Sequence, residues 1–148
     1  MKAIALTGHR ILKKNFDYFL LEEKLKNLID IGYTKFYCGM AIGFDMTCAG
    51  LLLRLKKRNT IELIACIPCK KQEEKYTYYD KILYYNYLKK FDKVIYIEEN
   101  FTKSCMFKRN RFLVDNSDLV FAYLYKERGG TYYTVEYAKK REKKIEYF

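Results

Sequence analysis

Apolar residues in this chain form short continuous runs that alternate with longer segments of helical periodicity. The runs cover residues 2–6, 35–38, 61–67, 93–97, 119–124 and 145–147. Continuous apolar runs are typical of parallel strands covered on both faces, since half-exposed strands show an alternating pattern instead. The pattern therefore predicts an α/β fold with a doubly wound, mainly parallel sheet and helices on both faces.

Helices are predicted between the strands. Leu21, Leu25 and Leu28 recur at helical spacing, and further helices are predicted over residues 45–57, 73–89 and 105–115 and through residues 138–140. The segment 73–89 carries aromatic and apolar side chains every three or four residues, which predicts one long amphipathic helix.

The chain is predicted to form a single domain over residues 1–148. It contains 148 residues, and no Pro-, Gly- or Ser-rich linker divides it. The longest apolar runs are far shorter than a membrane span, and the first residues enter a strand without the layout of a signal peptide. We therefore expect a cytoplasmic protein without membrane insertion.

A glycine-containing turn connects the second strand to the second helix. Gly39 and Gly43 lie in this turn and Asp45 follows them. Glycine allows close approach of the backbone to a ligand, and the helix that follows directs free N–H groups into the turn, so the segment is a candidate phosphate site. Alternatively, the glycines only make a tight turn and Asp45 is the N-cap of the helix. Their spacing matches neither the dinucleotide fingerprint nor the P-loop.

A second candidate loop follows the first strand. Thr7, Gly8, His9 and Arg10 place a hydroxyl, a flexible backbone, an imidazole and a guanidinium at the end of that strand. Arg suits bidentate contact with phosphate. Alternatively, Arg10 faces water and His9 caps a backbone group.

A third candidate loop precedes the last helix. Gly129, Gly130 and Thr131, followed by Thr134, combine backbone N–H groups and hydroxyls at a helix start, which favours anion binding. The alternative is an ordinary glycine turn with Thr131 as the N-cap.

The helix over residues 105–115 carries further basic and polar groups. Arg109 and Asn110 are predicted to reach the same end of the sheet, whereas Arg111 is predicted to face away.

The charge of the chain favours anionic partners. Its formal net charge is +11, from 29 basic and 18 acidic side chains. Such a field attracts nucleotides, nucleic acid or acidic lipid surfaces, although much of the excess lies in lysine runs typical of a solvated surface.

Five cysteines at scattered positions do not suggest a disulfide framework. They occupy positions 38, 48, 66, 69 and 105, and free thiols in a reducing compartment account for them. Cys66 and Cys69 form a CxxC spacing that is compatible with redox activity or half of a zinc site. A zinc site would need two further ligands from three scattered cysteines and His9, so no metal site is predicted.

These motifs together resemble the YpsA-like branch of the SLOG superfamily, in order and across nearly the whole chain. The resemblance rests on Thr7-Gly8-His9-Arg10, Gly39-Met40-Ala41-Ile42-Gly43-Phe44-Asp45, Pro68 with Gln72, Lys108-Arg109-Asn110, Val114-Asp115, Ser117-Asp118, Gly129-Gly130-Thr131 with Thr134, and Tyr137-Ala138. It implies a Rossmann-like fold shared with the lonely-guy phosphoribohydrolases and the DNA-processing protein DprA. It also implies a nucleotide or nucleotide-derived ligand and a homo-oligomer, with no established reaction.

The resemblance also allows the hydrolytic machinery to be compared. The phosphoribohydrolases carry an Arg, matched here by Arg109, and a Glu at the position that Thr134 occupies. A hydroxyl cannot supply the negative charge that an oxocarbenium-like transition state requires. Glu136 lies two residues further on, about 200° round the helix, and is predicted to point away. Arg109, Asp45 and Glu136 are the candidate catalytic groups if a reaction occurs.

Three functions are compatible with these observations. The first is the binding or sensing of a nucleotide-derived ligand, with no cofactor required. The second is a nucleoside-monophosphate phosphoribohydrolase, and the third is DprA-like binding of single-stranded DNA. The residues predicted to contact the ligand are Thr7, Gly8, His9, Arg10, Gly39, Gly43, Asp45, Arg109, Asn110, Gly129, Gly130, Thr131 and Thr134.

Overall fold

The computed structural model describes residues 2–148, which form one parallel six-stranded sheet covered by helices on both faces. The strands β1 to β6 span Lys2–Gly8, Tyr33–Cys38, Glu62–Ile67, Lys93–Tyr96, Leu119–Tyr123 and Lys144–Tyr147. The helices α1 to α5 span Tyr18–Asp30, Phe44–Lys56, Tyr78–Lys90, Cys105–Asp115 and Gly130–Lys140, and a short 3-10 helix spans Gln72–Lys75.

The strand order places a switch point at β1. The order across the sheet is β4-β3-β2-β1-β5-β6, so β1 has β2 on one side and β5 on the other. β1 pairs with β5 from Ile4 opposite Leu119 to Gly8 opposite Tyr123. In such sheets ligands bind outside the carboxyl ends of the strands where the order reverses, which here is between β1 and β5.

Each face of the sheet has its own hydrophobic core. Helices α1, α2 and α3 lie on one face, with Leu21, Leu25 and Leu28 of α1 buried as the periodicity predicts. Helices α4 and α5 cover the other face, against β1, β3 and β5. The doubly wound α/β fold is confirmed, and the sheet of the described chain is parallel throughout.

The segment predicted as one helix over residues 73–89 is divided in two. After the 3-10 helix, Tyr76 is extended with φ −71° and ψ 155°. Thr77 then caps α3, since its hydroxyl accepts a hydrogen bond from the Asp80 N–H at 3.2 Å. The Tyr76 hydroxyl donates to the Met40 carbonyl at 3.1 Å, which ties this residue to the turn after β2. A long-range contact therefore overrides the helical periodicity of the tyrosines.

Within residues 2–148, none of the helices is both long and apolar enough to cross a membrane.

Candidate functional site

A cavity of about 800 Å³ lies at the switch point. Parts of four segments line it, namely the end of β1 with the loop after it, the start of α2, residues 101–113, and residues 126–133. The chain therefore brings the loop after β1, the loop after β5 and the first half of α4 to one place.

Most of the sequence-predicted site residues meet in this cavity. It is lined by Thr7, Gly8, His9, Arg10, Asp45, Arg109, Asn110, Gly129, Gly130 and Thr131. Gly39, Gly43, Thr134 and Glu136 are outside the lining, so the structure does not bring these four to the cavity.

The N-terminus of α5 opens on the cavity. Gly129 is the N-cap, with φ 91°, and no side chain of the described residues caps this end. Thr131 is therefore not the N-cap, contrary to the alternative considered from the sequence. A Cβ added at Gly129 would meet nothing within 4 Å in the described chain. The first N–H groups of an 11-residue helix, with the positive end of its dipole, are thus accessible to an anion.

Basic side chains line the same cavity. Arg10, Lys103, Lys126 and Arg128 line the cavity, and none of them forms a salt bridge within residues 2–148. Asp45 is the single carboxylate among the lining residues of the described chain. The cavity therefore has an excess of positive charge that favours an anionic ligand.

The side chain of Arg109 forms most of its hydrogen bonds with other groups of the protein. It is 4% exposed, and its Nη1 donates to the carbonyls of Gly39 at 2.6 Å and Cys66 at 3.3 Å. Its Nε donates to Asn110 Oδ1 at 2.9 Å. Arg109 thus joins α4 to the turn after β2 and to the end of β3. Arg111 is outside the lining, and its Nη1 donates to the Tyr133 hydroxyl at 2.9 Å.

Gly39 and Gly43 allow close packing of protein segments against each other. A Cβ at Gly39 would stand 2.6 Å from Arg109 Nη1, and one at Gly43 would stand 2.2 Å from the Arg10 carbonyl oxygen. Gly43 also has φ 85°, a conformation that other residues rarely adopt. The interpretation of these two glycines as a phosphate cradle is therefore replaced by one in which they pack the loops that form the cavity.

Asp45 lies in the first turn of α2, and Gly43 is the N-cap of that helix, so the alternative of Asp45 as N-cap is wrong. Asp45 is 5% exposed, and its Oδ2 accepts a hydrogen bond from the Ala41 N–H at 3.3 Å. Its Oδ1 is buried without a hydrogen-bond partner in the described chain. Burial raises the pKa of Asp45 to about 6, although Arg109, the Ala41 N–H and Arg10 act in the opposite direction. The carboxylate is therefore mainly ionised at pH 7.

His9 connects two loops through its backbone. Its N–H donates to the Tyr123 carbonyl at 3.1 Å, and its carbonyl accepts from the Phe44 N–H at 3.2 Å. The ring packs edge-on against Tyr125, with centroids 4.4 Å apart, and Nε2 is buried without a partner among residues 2–148. Burial lowers the pKa of His9, and the charge of Lys126 lowers it further. His9 thus presents a neutral imidazole at the cavity at pH 7.

The two residues considered for hydrolysis on α5 do not line the cavity. Thr134 is fully buried, and its hydroxyl donates to the Gly130 carbonyl at 2.8 Å. Glu136 forms a salt bridge of 3.1 Å with Lys139, and both side chains are about half exposed. Of the two carboxylates considered for catalysis, only Asp45 therefore lines the cavity.

Several lining residues were missed by sequence reasoning. Phe107 and Tyr133 form an aromatic pair with centroids 4.5 Å apart, and Phe101 at the cavity edge is 73% exposed. Helical spacing offered a signal for Phe107, because it lies one turn before Asn110 on α4. The basic residues at 103, 126 and 128 resembled solvated surface charge and gave no comparable signal.

The cysteines are buried free thiols. The Cys69 sulfur lies 3.8 Å from the sulfur of Cys105, and Cys66 is fully buried in the sheet core. The CxxC spacing thus does not correspond to a paired dithiol. Within residues 2–148, no group of three or more His, Cys, Asp or Glu side chains is placed to hold a metal ion.

Comparisons with known proteins show what this chain is similar to. It is 29% identical over 145 residues to the uncharacterized SPbeta prophage-derived protein YoqJ of Bacillus subtilis strain 168, covering 86% of this chain and 85% of YoqJ. Its fold matches DNA processing protein A (DprA) from Streptococcus pneumoniae with a TM-score of 0.71 and 20% identity, over 99% of this chain and 50% of that one.

A second DprA structure gives the same result. DprA from Helicobacter pylori, described with a unique single-stranded DNA binding mode, matches with a TM-score of 0.71 and 18% identity, over 99% of this chain and 64% of that one. The chain therefore spans between half and two thirds of the length of these DprA chains. At this level of identity the likeness supports a shared Rossmann-like fold.

The family assignment rests on a match along nearly the whole sequence. The resemblance inferred from the motifs is confirmed, because the YpsA family model, described as the YspA SLOG family, matches residues 10–148. The chain belongs to the YspA SLOG family.

Proposed function

We propose that the protein binds a nucleotide or nucleotide-derived ligand in the cavity at the switch point, with a phosphate group at the N-terminus of α5. The observation that carries this proposal is the uncapped start of α5 among unpaired basic side chains. Helix N-termini with free N–H groups are a recurrent phosphate site. The neighbouring cations Arg10, Lys126 and Arg128 would add charge-assisted hydrogen bonds.

The remainder of the cavity suits the other parts of a nucleotide. Its volume of about 800 Å³ lies within the usual range of small-molecule sites. The Phe107 and Tyr133 rings offer an apolar surface on which a base can stack. His9 and Asp45 also line the cavity, and His9 Nε2 and Asp45 Oδ1 are buried polar atoms without partners in the described chain.

A binding or sensing role is favoured over hydrolysis of the glycosidic bond. Thr134 stands at the position of the catalytic Glu of the phosphoribohydrolases, and its hydroxyl is bonded to the Gly130 carbonyl. Glu136 lies outside the cavity lining and pairs with Lys139 on the same helix. The buried free thiols support a reducing compartment, and we propose a cytoplasmic location on that basis.

Calorimetric titration with a panel of nucleoside mono-, di- and triphosphates tests this proposal. We expect at least one nucleotide to bind, and Arg128→Ala to weaken it about tenfold through loss of a charge-assisted contact. Arg58→Ala removes the same charge from an exposed position just after α2, outside the cavity lining, and should leave the affinity unchanged. An absence of binding across the panel, or equal losses in the two variants, would contradict the proposal.

Single-stranded DNA is the second candidate ligand. It is favoured by the fold shared with DprA from Helicobacter pylori, which is described as binding single-stranded DNA, and by the exposed Phe101 beside the basic lining. Fluorescence anisotropy with a labelled oligonucleotide tests this alternative. Binding through phosphates must weaken steeply with added salt, so a salt-independent signal or none would exclude it.

A further inference from the structure

We infer that Asp45 makes the cavity selective for ligands with an intact ribose over those that lack the 2′- or the 3′-hydroxyl, its Oδ1 accepting a hydrogen bond from that hydroxyl. This inference rests on the proposed nucleotide binding. It adds a substrate class to that proposal, and it assigns the selectivity to one oxygen atom.

The first support is the state of the carboxylate. Asp45 is 5% exposed, so solvent cannot fully satisfy its two oxygens. Oδ2 accepts from the Ala41 N–H, whereas Oδ1 is buried and has no partner among the residues that the structure describes. A buried acceptor without a partner is unfavourable. Asp45 also lines the cavity, so a ligand bound there would lie beside this carboxyl group.

The second support is the place of Asp45 in the fold. It stands in the first turn of α2, seven residues after the end of β2 at Cys38, and β2 is the strand next to β1. In doubly wound folds that bind dinucleotides, the pyrophosphate lies at the N-terminus of the helix after the first strand, and an acidic residue about 20 residues further on hydrogen-bonds the ribose hydroxyl. Here the N-terminus of α5 would hold the phosphate, and Asp45 is on the β2 side of the same cavity.

The third support is the positive charge around Asp45, which favours a neutral donor group on the ligand. Burial raises the pKa of Asp45 to about 6, and the charges of Arg109 and Arg10 limit this rise, so the carboxylate is mainly ionised at pH 7 and acts as an acceptor. Lys103, Lys126 and Arg128 also line the cavity, and they would repel a cationic group of a ligand. A hydroxyl is uncharged and donates one hydrogen bond, which is what Oδ1 lacks.

The experiment compares sugars on otherwise identical ligands. Adenosine and guanosine 5′-mono- and diphosphates are titrated calorimetrically beside their 2′-deoxy and 3′-deoxy forms. When a ligand hydroxyl forms a hydrogen bond with a buried polar atom of the site, the site discriminates strongly against an analogue that lacks this hydroxyl. We expect at least tenfold weaker binding of one deoxy series, and the series that weakens identifies the hydroxyl.

Two variants separate the role of Asp45 from that of the rest of the site. Asp45→Asn is nearly isosteric and should reduce the ratio of ribose to deoxyribose affinity to within about twofold of unity, since the amide is a weaker acceptor than a carboxylate. Asp45→Ala provides the same test if the Asn variant is poorly folded. Arg128→Ala should weaken both series by the same factor and leave the ratio unchanged.

The outcomes distinguish this inference from the proposed function. Equal binding of ribose and deoxyribose forms by the parent protein would overturn the inference and leave nucleotide binding intact. Selectivity that persists in both Asp45 variants would also overturn it. If none of these nucleotides binds, both the inference and the proposed function fail.

Discussion

Asp45 is a residue whose burial opposes folding. Burial raises its pKa from 3.8 to about 6, which corresponds to a free energy of about 3 kcal/mol against the ionised form. As the pH falls from 7 towards 4, the folded state takes up this proton before the unfolded state does. The contribution of Asp45 therefore makes the folded protein less stable at pH 7 than at pH 4.

We predict that Asp45→Asn stabilises the ligand-free protein by about 2 kcal/mol at pH 7, because the neutral amide avoids most of this cost. The gain should diminish mainly as the pH falls from 6 to 4 and should be small at pH 4, where Asp45 of the folded parent protein is protonated. Urea denaturation of the two proteins at pH 4, 5, 6 and 7 measures this difference. Other carboxylates titrate in both proteins and cancel, so a gain that does not change with pH would contradict the assignment.

The sequence was sufficient to identify many of the residues that line the cavity. It was not sufficient to predict which contacts their polar atoms make. Arg109 was predicted to face the cavity, and it does, but its Nε and Nη1 bond to neutral protein acceptors. Lys126 and Arg128 were not selected, since a lysine or arginine in a polar segment looks the same whether or not it borders a cavity. Which polar atoms lack partners depends on distant segments, and the local sequence does not contain that information.

At the scale of elements, two glycines of similar conformation have different tasks. Gly43 has φ 85° and Gly129 has φ 91°. The position of a Cβ at Gly43 is blocked by the Arg10 backbone, whereas the same position at Gly129 has nothing within 4 Å in the described chain. Gly43 thus packs the turn after β2 onto the loop after β1, and Gly129 leaves the start of α5 open.

We predict that Gly43→Ala lowers the free energy of unfolding by about 4 kcal/mol or more, because it combines backbone strain with a clash against main-chain atoms. Gly129→Ala should lower it by about 1–3 kcal/mol, which is the cost of strain alone. Denaturant unfolding of the two variants measures both losses. Equal losses would show that the contact between the two loops is not what requires glycine at position 43.

The predicted helix over residues 73–89 is divided in two in the structure, and the local sequence does not reveal this interruption. Gln72 Nε2 donates to the Gly39 carbonyl at 3.2 Å, and the Tyr76 hydroxyl donates to the Met40 carbonyl. These contacts hold the chain before α3 against the turn after β2. The spacing of the tyrosines fits a continuous helix equally well, so only the long-range partners reveal the interruption.

At the scale of the whole molecule, the alternation of strands and helices was sufficient to predict the doubly wound class. The strand order β4-β3-β2-β1-β5-β6 is not encoded in any single segment, and it decides that the loops after β1 and β5 share a cavity. The prediction that the loops at 7–10 and 129–134 lie at one end of the sheet followed from parallel strands alone. The homo-oligomer implied by the family resemblance stays a prediction, which light scattering of the purified protein would test.

We expect the protein not to hydrolyse the glycosidic bond of a nucleotide, because of how the carboxylates are placed around the cavity. Hydrolysis of a nucleotide at its glycosidic bond needs a negative charge near the sugar. Thr134 supplies none, Glu136 is paired on the surface, and Asp45 is the remaining candidate. If Oδ1 of Asp45 accepts a hydrogen bond from a sugar hydroxyl, it is engaged in binding, and we predict that the protein retains an intact nucleotide.

Mass spectrometry of the bound and free fractions after incubation with mixed nucleotides measures this directly. Accumulation of free base with ribose 5-phosphate, lost in Asp45→Asn, would show instead that Asp45 is catalytic; release that persists in this variant would show that another group is responsible.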